Sequence, residues 1–265
     1  MSGNDRLQAI LDLLREEDTV ETEDLARRFA VTPQTIRRDM AVLVERGLAV
    51  RTHGGARRKA STSTIAYEDR RLKHAREKEV IGRVVADMIP NGRSIMLNIG
   101  STTEQVAQAL SDHRDLVVIT NNINVVHILR MSEIAALKIA GGSVRPSDGA
   151  IIGGDAVAFM DKHKADFAVI GCSSLDADGA ILDFDEREVA VARAILRNAR
   201  KKILVADRSK FDVDASVRIC SLEELDMVVT DGPPPESFVQ AALASETEVV
   251  CANSPKIRVF ERAAL

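Results

Sequence analysis

Six short apolar runs, separated by stretches of helical spacing, constrain this chain more than any other feature. They span residues 94–98 (SIMLN), 116–120 (LVVIT), 137–140 (LKIA), 167–171 (FAVIG), 203–206 (ILVA) and 227–230 (MVVT), each near strand length. Helical patterns fall between them, clearest over 104–110, 125–130, 186–199 and 236–244. Strand and helix in alternation predict a parallel sheet covered on both faces. Scarce aromatics, one Tyr and no Trp, beside plentiful Gly, Val, Ile and Ala, suit an α/β protein better than an all-β one.

Ligands bind such sheets at the carboxyl ends of the strands, so the residues after each run are the candidates. After the first come Asn98, Ile99, Gly100, Ser101, Thr102, Thr103 and Glu104. This small-residue loop feeds a helix N-terminus rich in hydroxyls, with Ser101 and Glu104 at capping-box spacing. It reads either as a phosphate cradle or as a capped helix with nothing bound. The chain has no G-x-x-x-x-G-K-[ST] and no G-x-G-x-x-G, so a nucleotide is disfavoured and no cofactor is expected. The second run ends in Asn121-Asn122, suited to sugar hydroxyls or to a turn; the third ends in Gly141-Gly142, with Arg145 following. Asp176, Asp178, Asp183, Asp185 and Glu186 form an acidic run, but Gly179 comes too early for a calcium loop and no metal is expected. In DRSKF (207–211), Lys210 can meet an anion. Together these groups fit a small phosphorylated polyol.

The first 59 residues read differently. Leu7, Ile10, Leu11 and Leu14 mark one amphipathic helix, and Thr22 is placed to cap a second, with Glu23 and Asp24 in its first turn. A third runs over 31–47: Thr32 at the N-cap, Pro33 at the first helical position, Val31 and Ile36 as a hydrophobic staple, Gly47 as a left-handed stop. Ile36, Met40, Leu43 and Val44 form its apolar stripe, while Gln34, Thr35, Arg38, Ala41 and Glu45 lie opposite, with Arg37 on the flank. Many solvated helices carry such a face. Here, however, polar groups able to reach bases and phosphates cluster at the helix start, as on a recognition helix. Leu48 and Val50 alternate with Ala49 and Arg51 as in a strand, and Gly54-Gly55 turns the chain, as in a wing. Charge supports the reading: residues 1–24 carry −6, residues 25–59 carry +7 and residues 60–265 carry −5, within a net −4. Arg51, His53, Arg57, Arg58 and Lys59 can reach phosphates beside the groove, although His53 reads equally as a turn histidine.

Residues 60–67 (ASTSTIAY) are small and polar and 68–79 densely charged, so 60–79 is expected to link a DNA-binding domain (1–59) to a ligand domain (80–265). The three widely spaced cysteines and the lack of a signal-like or membrane-length apolar run point to a reduced, cytoplasmic setting with no membrane partner.

These motifs converge on one family. Residues 5–59, with PQTIRRD and RTHGGA, resemble the winged helix-turn-helix of DeoR-type bacterial regulators. Residues 78–235 resemble that family's sugar-phosphate sensor domain, a Rossmann-like parallel α/β fold similar to ribose-5-phosphate isomerase. IPNG, NIGSTTEQVAQAL, ITNNINV, LDADGAILDFDEREV, DRSKF and VVTDGPPP carry the likeness furthest, toward members that respond to glycerol 3-phosphate. The resemblance implies a repressor and not an enzyme, working as a dimer or tetramer on operator DNA. Its inducer would be glycerol 3-phosphate or another sugar phosphate. Gln34, Thr35, Arg37 and Arg38 would contact DNA. Asn98, Gly100, Ser101, Thr102, Thr103, Asn121, Asn122, Gly141, Gly142, Asp185 and Lys210 would form the inducer pocket. Asn98 stands where relatives often carry Asp, Cys172-Ser173-Ser174 replaces a loop that usually contains Gly, and Asp212 follows Phe211 where Gly is common. The alternative is a sugar-phosphate isomerase or deaminase with Asp183, Asp185 or Glu186 as general base.

Overall fold

The amphipathic stripes of the N-terminal helices meet in one small core. The computed structural model describes residues 3–17, 19–45, 49–52, 54–58, 67 and 70–253, which fall into two units, Met1–Ala66 and Tyr67–Leu265. In the first unit α1 (Gly3–Glu17), α2 (Thr22–Arg28) and α3 (Pro33–Glu45) bury Ile10, Leu13, Leu14, Leu25, Ile36, Met40 and Leu43 together. A three-stranded antiparallel sheet, in the order β1 (Thr19–Glu21), β3 (Gly55–Arg58), β2 (Ala49–Arg51), completes a winged helix-turn-helix. At the start of α3 the Thr35 N–H donates to Thr32 Oγ1 at 3.2 Å, and Val31 packs on the same core as Ile36.

Several local expectations are corrected. Val44 is 36% exposed rather than part of the stripe. The buried side of α3 is completed instead by Asp39, whose Oδ2 accepts from Arg6 Nε at 2.6 Å. Thr22 is not a cap: Glu21 holds that position without a side-chain bond, and the Thr22 N–H donates to Gly54 O at 2.9 Å. In β2, Ala49 is buried and Val50 is 41% exposed, the reverse of the expected alternation. The register places Val50 opposite Arg57 of β3, itself opposite Thr19 of β1, and all three are on the exposed face. Gly47, Leu48 and His53 lie outside the described residues.

The second unit is built on a seven-stranded sheet in the order β15-β14-β12-β9-β4-β5-β6, every neighbouring pair parallel. Its strands are β4 (Ser94–Leu97), β5 (Val117–Thr120), β6 (Ala136–Ile139), β9 (Ala165–Ile170), β12 (Ala199–Val205), β14 (Met227–Thr230) and β15 (Glu248–Cys251). The two faces are sorted by the period of two along each strand. Ile95, Leu97, Val118, Val169 and Val205 pack against α4 (Ala75–Asp87), α5 (Ser101–Ala109) and α6 (Ile123–Leu129). Met96, Ile119, Ala168, Ile170 and Leu204 pack against α7 (Gly154–Met160), α8 (Glu186–Arg197) and α9 (Glu236–Ala244). All six expected runs are strands; the seventh, β15, and two antiparallel additions are not evident from the alternation. One addition is the hairpin of β7 (Ser143–Arg145) and β8 (Ala150–Ile152). The other is the sheet of β10 (Ser174–Leu175), β11 (Ala180–Asp183) and β13 (Val217–Ser221). The parallel sheet grows from β4 to β5 and β6 on one side, then returns to β9 on the other. That reversal creates a crevice beyond the ends of β4 and β9. Among the described residues no helix is long and apolar enough to cross a membrane.

Candidate functional site

The outward stripe of the first unit is set by helical geometry: with Ile36, Asp39, Met40 and Leu43 turned inward, Gln34, Arg38, Ala41 and Glu45 face out and are exposed. Arg37 flanks a groove between α3 and the β2–β3 hairpin, lined also by Met40, Ala41, Val44 and Arg51. The first turn of α3 holds no acidic side chain, so nothing opposes an anion at the positive end of the helix. The cations divide into two sets. Arg27 pairs with Asp24 and Arg28 lies 4.0 Å from Glu17. Arg37, Arg38, Arg51 and Arg57 are exposed and hold no ion pair among the described residues. Thr32 is exposed, and its hydroxyl lies 2.9 Å from that of Thr35. Arg58 is described through its β3 backbone alone, and His53 and Lys59 fall outside the described residues.

In the second unit a pocket opens at the crevice where strand order reverses. The β4–α5 loop lines it with Ile99, Gly100, Ser101 and Thr102, and the end of β9 with Gly171, Cys172 and Ser173. Tyr67, Arg70, Asp148, Asp183, Glu188 and Lys210 complete it. Gly100 takes a φ of 152°, which favours glycine, and stands at the N-cap of α5 with no side-chain cap bond. The first-turn N–H groups of α5 therefore lack a cap from the protein. The side chains of Lys210 and Arg70 have no hydrogen-bond or ion-pair partner among the described residues. Two unpaired cations beside an open helix start make an anion site. Behind them Lys78, 3% exposed, donates to Lys73 O at 2.7 Å and to Arg70 O, which ties the backbone of Arg70 to α4. Burial lowers the Lys78 ammonium to about 8.

The rest of the pocket is acidic. Arg145, behind the lining, binds Asp148 (Nε–Oδ1 2.9 Å), Asp185 (Nη1–Oδ2 3.1 Å) and Glu188 (Nη2–Oε2 2.6 Å). Burial, then the charge of Asp183, pushes Glu188 up to about 7 despite Arg145. Burial also raises Asp183, whose Oδ1 accepts from Ser173 Oγ at 3.1 Å and Phe184 N at 2.7 Å.

Four expected pocket residues, Gly100, Ser101, Thr102 and Lys210, line the cavity. The others do not line it; most use their side-chain polar groups within the fold, although the buried Asn121 Oδ1 has no hydrogen-bond partner among the described residues. Asn98 donates through Nδ2 to Gly171 O (3.2 Å) and accepts at Oδ1 from Gly171 N (2.9 Å), clamping β4 to β9. An aspartate there could accept but not donate. Thr103 Oγ1 turns back to Asn98 O (3.0 Å) and Gly100 O (2.8 Å). Asn121 donates to Ile151 O at 3.0 Å. Asn122 caps α6 and donates to Glu104 Oε1 at 3.1 Å. Gly141 and Gly142 follow the edge strand β6, two strands from the crevice. Asp185 caps α8 and is held by Arg145 and Arg187.

The expected capping box at Ser101 is replaced by a different use of Glu104. Its buried carboxylate accepts from the Tyr67 hydroxyl and from Asn124 Nδ2 at 3.0 Å, and Asn124 also donates to the Tyr67 oxygen at 2.7 Å. Of the general-base candidates, Asp183 reaches the pocket, Asp185 is tied to arginines and Glu186 is exposed. No group of three or more metal-ligating side chains occurs among the described residues. Tyr67 closes the small polar stretch and Arg70 falls in the densely charged one, and both read as linker. Glu188 was hidden on a helix whose polar face looks ordinary.

Comparison with known proteins matches this division. Residues 6–62 fit the DeoR-like helix-turn-helix domain and residues 73–232 the DeoR C terminal sensor domain. The chain is 42% identical over 240 residues to the glycerol-3-phosphate regulon repressor of Escherichia coli (strain K12), covering 91% of this chain and 95% of that one. The glycerol-3-phosphate regulon repressor of Haemophilus influenzae is 42% identical over 253 residues, covering 96% and 98%. Among solved structures, ribose 5-phosphate isomerase from Plasmodium falciparum aligns with 51% of this chain and 52% of its own, at 15% identity and a TM-score of 0.36, a distant likeness.

Proposed function

The chain belongs to the DeoR family of DNA-binding transcriptional repressors, and from that premise we propose that glycerol 3-phosphate is its inducer. The observation that carries the reading is the pairing of Lys210 and Arg70, whose side chains hold no hydrogen bond or ion pair among the described residues, with the open start of α5. A phosphate dianion would take the N–H groups and hydroxyls of Ser101 and Thr102 and both cations. The names of the Escherichia coli and Haemophilus influenzae relatives support the polyol and a role in glycerol phosphate metabolism. On the DNA side, Gln34, Thr35, Arg37 and Arg38 enter the major groove, while Thr32, Arg51, His53, Arg57 and Arg58 hold phosphates. A dimer or tetramer supplies paired helices for two half-sites, and the DNA target implies work in the cytoplasm.

Induction needs an inducer that binds the DNA-incompetent state more tightly than the competent one. Emptying an operator from nearly full occupancy requires a preference of roughly 10⁴-fold. The test is release of fluorescent DNA, selected by the full chain from a random pool, on titration with glycerol 3-phosphate. Release by glycerol 3-phosphate and not by inorganic phosphate is the expected result. Lys210→Ala should raise the concentration needed by roughly 10–100-fold, the value of a charge-assisted bond, with DNA affinity unchanged. Release only by a hexose or pentose phosphate would replace the ligand and keep the repressor.

A further inference from the structure

The pocket holds a second, unfilled requirement besides its anion site. Asp183 is 6% exposed and lines the cavity, yet both of its hydrogen bonds fall on Oδ1, from Ser173 Oγ and Phe184 N. Among the described residues Oδ2 has no hydrogen-bond partner and no cation within ion-pair distance, although the charges of Arg70 and Lys210 in the same lining act on it. Its carboxylate neighbours in the lining differ: Asp148 and Glu188 are both held by Arg145. A carboxylate oxygen of a largely buried residue that opens on a cavity, with no donor from the protein, is placed to accept from a ligand that brings one.

We propose that Asp183 selects the inducer by its non-phosphate end, its Oδ2 accepting a hydroxyl proton and, with Glu188, repelling any ligand that carries a carboxylate there. The inference rests on the sensor reading above and narrows it: the pocket takes phosphorylated polyols and rejects phosphorylated acids of the same length. A hydroxyl donates to Oδ2 while the phosphate lies on the cations. A carboxylate can only accept, and it meets two acidic side chains at close range in a partly desolvated site, where like charges cost most. Glycerol 3-phosphate and 3-phosphoglycerate make the comparison sharp, because they share a three-carbon chain and a phosphate and differ at the terminal CH₂OH or carboxylate.

The experiment is calorimetry on the full chain at pH 8 with these two compounds, on the wild type, Asp183→Asn and Glu188→Gln. The wild type should prefer glycerol 3-phosphate by roughly tenfold or more. Asp183→Asn should shrink the preference to about threefold or less, mainly by gaining affinity for 3-phosphoglycerate, since its amide can donate. Equal wild-type affinities, or an undiminished preference in a folded Asp183→Asn, would overturn the inference and leave the sensor reading intact. Should Asp183→Asn not fold, Glu188→Gln decides: a narrowed preference supports the proposal and an unchanged one refutes it. Wild-type chain that binds DNA but neither compound would refute the sensor reading and the selectivity with it.

Discussion

The starts of α3 and α5 solve one problem in opposite ways. Every helix begins with N–H groups that lack an internal acceptor. At α3 the chain answers from within: Thr32 Oγ1 takes the Thr35 N–H, and Pro33 has no N–H to satisfy. At α5 the N-cap is Gly100, and no side chain answers. The surrounding charges follow the same division. Near α3 the exposed arginines hold no ion pair among the described residues, fitted to a long polyanion whose hold weakens with salt. Near α5 two cations face three carboxylates in one cavity, fitted to a small ligand that must match both signs. A closed helix start presents side chains to a partner; an open one is itself the binding surface.

That contrast can be broken most forcefully on the DNA side. Arg37→Ala with Arg38→Ala should lower operator affinity by roughly 100-fold and flatten the log–log salt dependence by about one to two. Glycerol 3-phosphate affinity should stay unchanged. Fluorescence anisotropy over a salt series measures the first two and calorimetry the third; wild-type DNA affinity would remove both arginines from the interface. A smaller effect separates the helix starts directly. Thr32→Ala should cost the first unit about 1 kcal/mol in urea unfolding, because a cap is lost. Ser101→Ala should cost no more than a few tenths of a kcal/mol of stability, as a surface change does, while weakening ligand binding. Equal stability losses would mean that Ser101 is a cap after all.

A third comparison concerns pH. Glu188 is held up to about 7 by burial and Asp183, against Arg145, with Asp148 and Asp185 also close by. Its folded pKa lies above the unfolded value of 4.5, so its contribution is full below 4.5 and is lost as pH rises through about 7. Relative to Glu188→Gln, wild-type stability should therefore fall between these values in denaturation at stepped pH. A flat difference would mean that Arg145 fully balances Glu188.

Much of the frame was legible because its signals are local. The six apolar runs became strands, and Thr32, Pro33, Ile36 and Met40 marked α3. The errors arose where distant partners decide. Val50 faces outward on the same face as Arg57 of β3 and Thr19 of β1, a register that its own strand does not reveal. Asn98, Asn121 and Asn122 are polar residues at strand ends, the right place for ligand contacts, but each is bound to a backbone or carboxylate from elsewhere in the chain. Arg70 and Tyr67 enter the pocket from before the first strand, and Asp183 from an antiparallel sheet that the alternation does not announce. No spacing rule links such positions.

Tyr67 is the chain's one tyrosine, and there is no tryptophan. It is buried at the pocket, its hydroxyl on the Glu104 carboxylate, and burial followed by that bond raises the phenol well above its ordinary range. Every photon of phenol emission from this protein thus originates at a single address. With no indole to capture the energy, the light reports the state of the Tyr67–Glu104 bond. The sensor unit therefore comes with a built-in optical gauge, readable without a label.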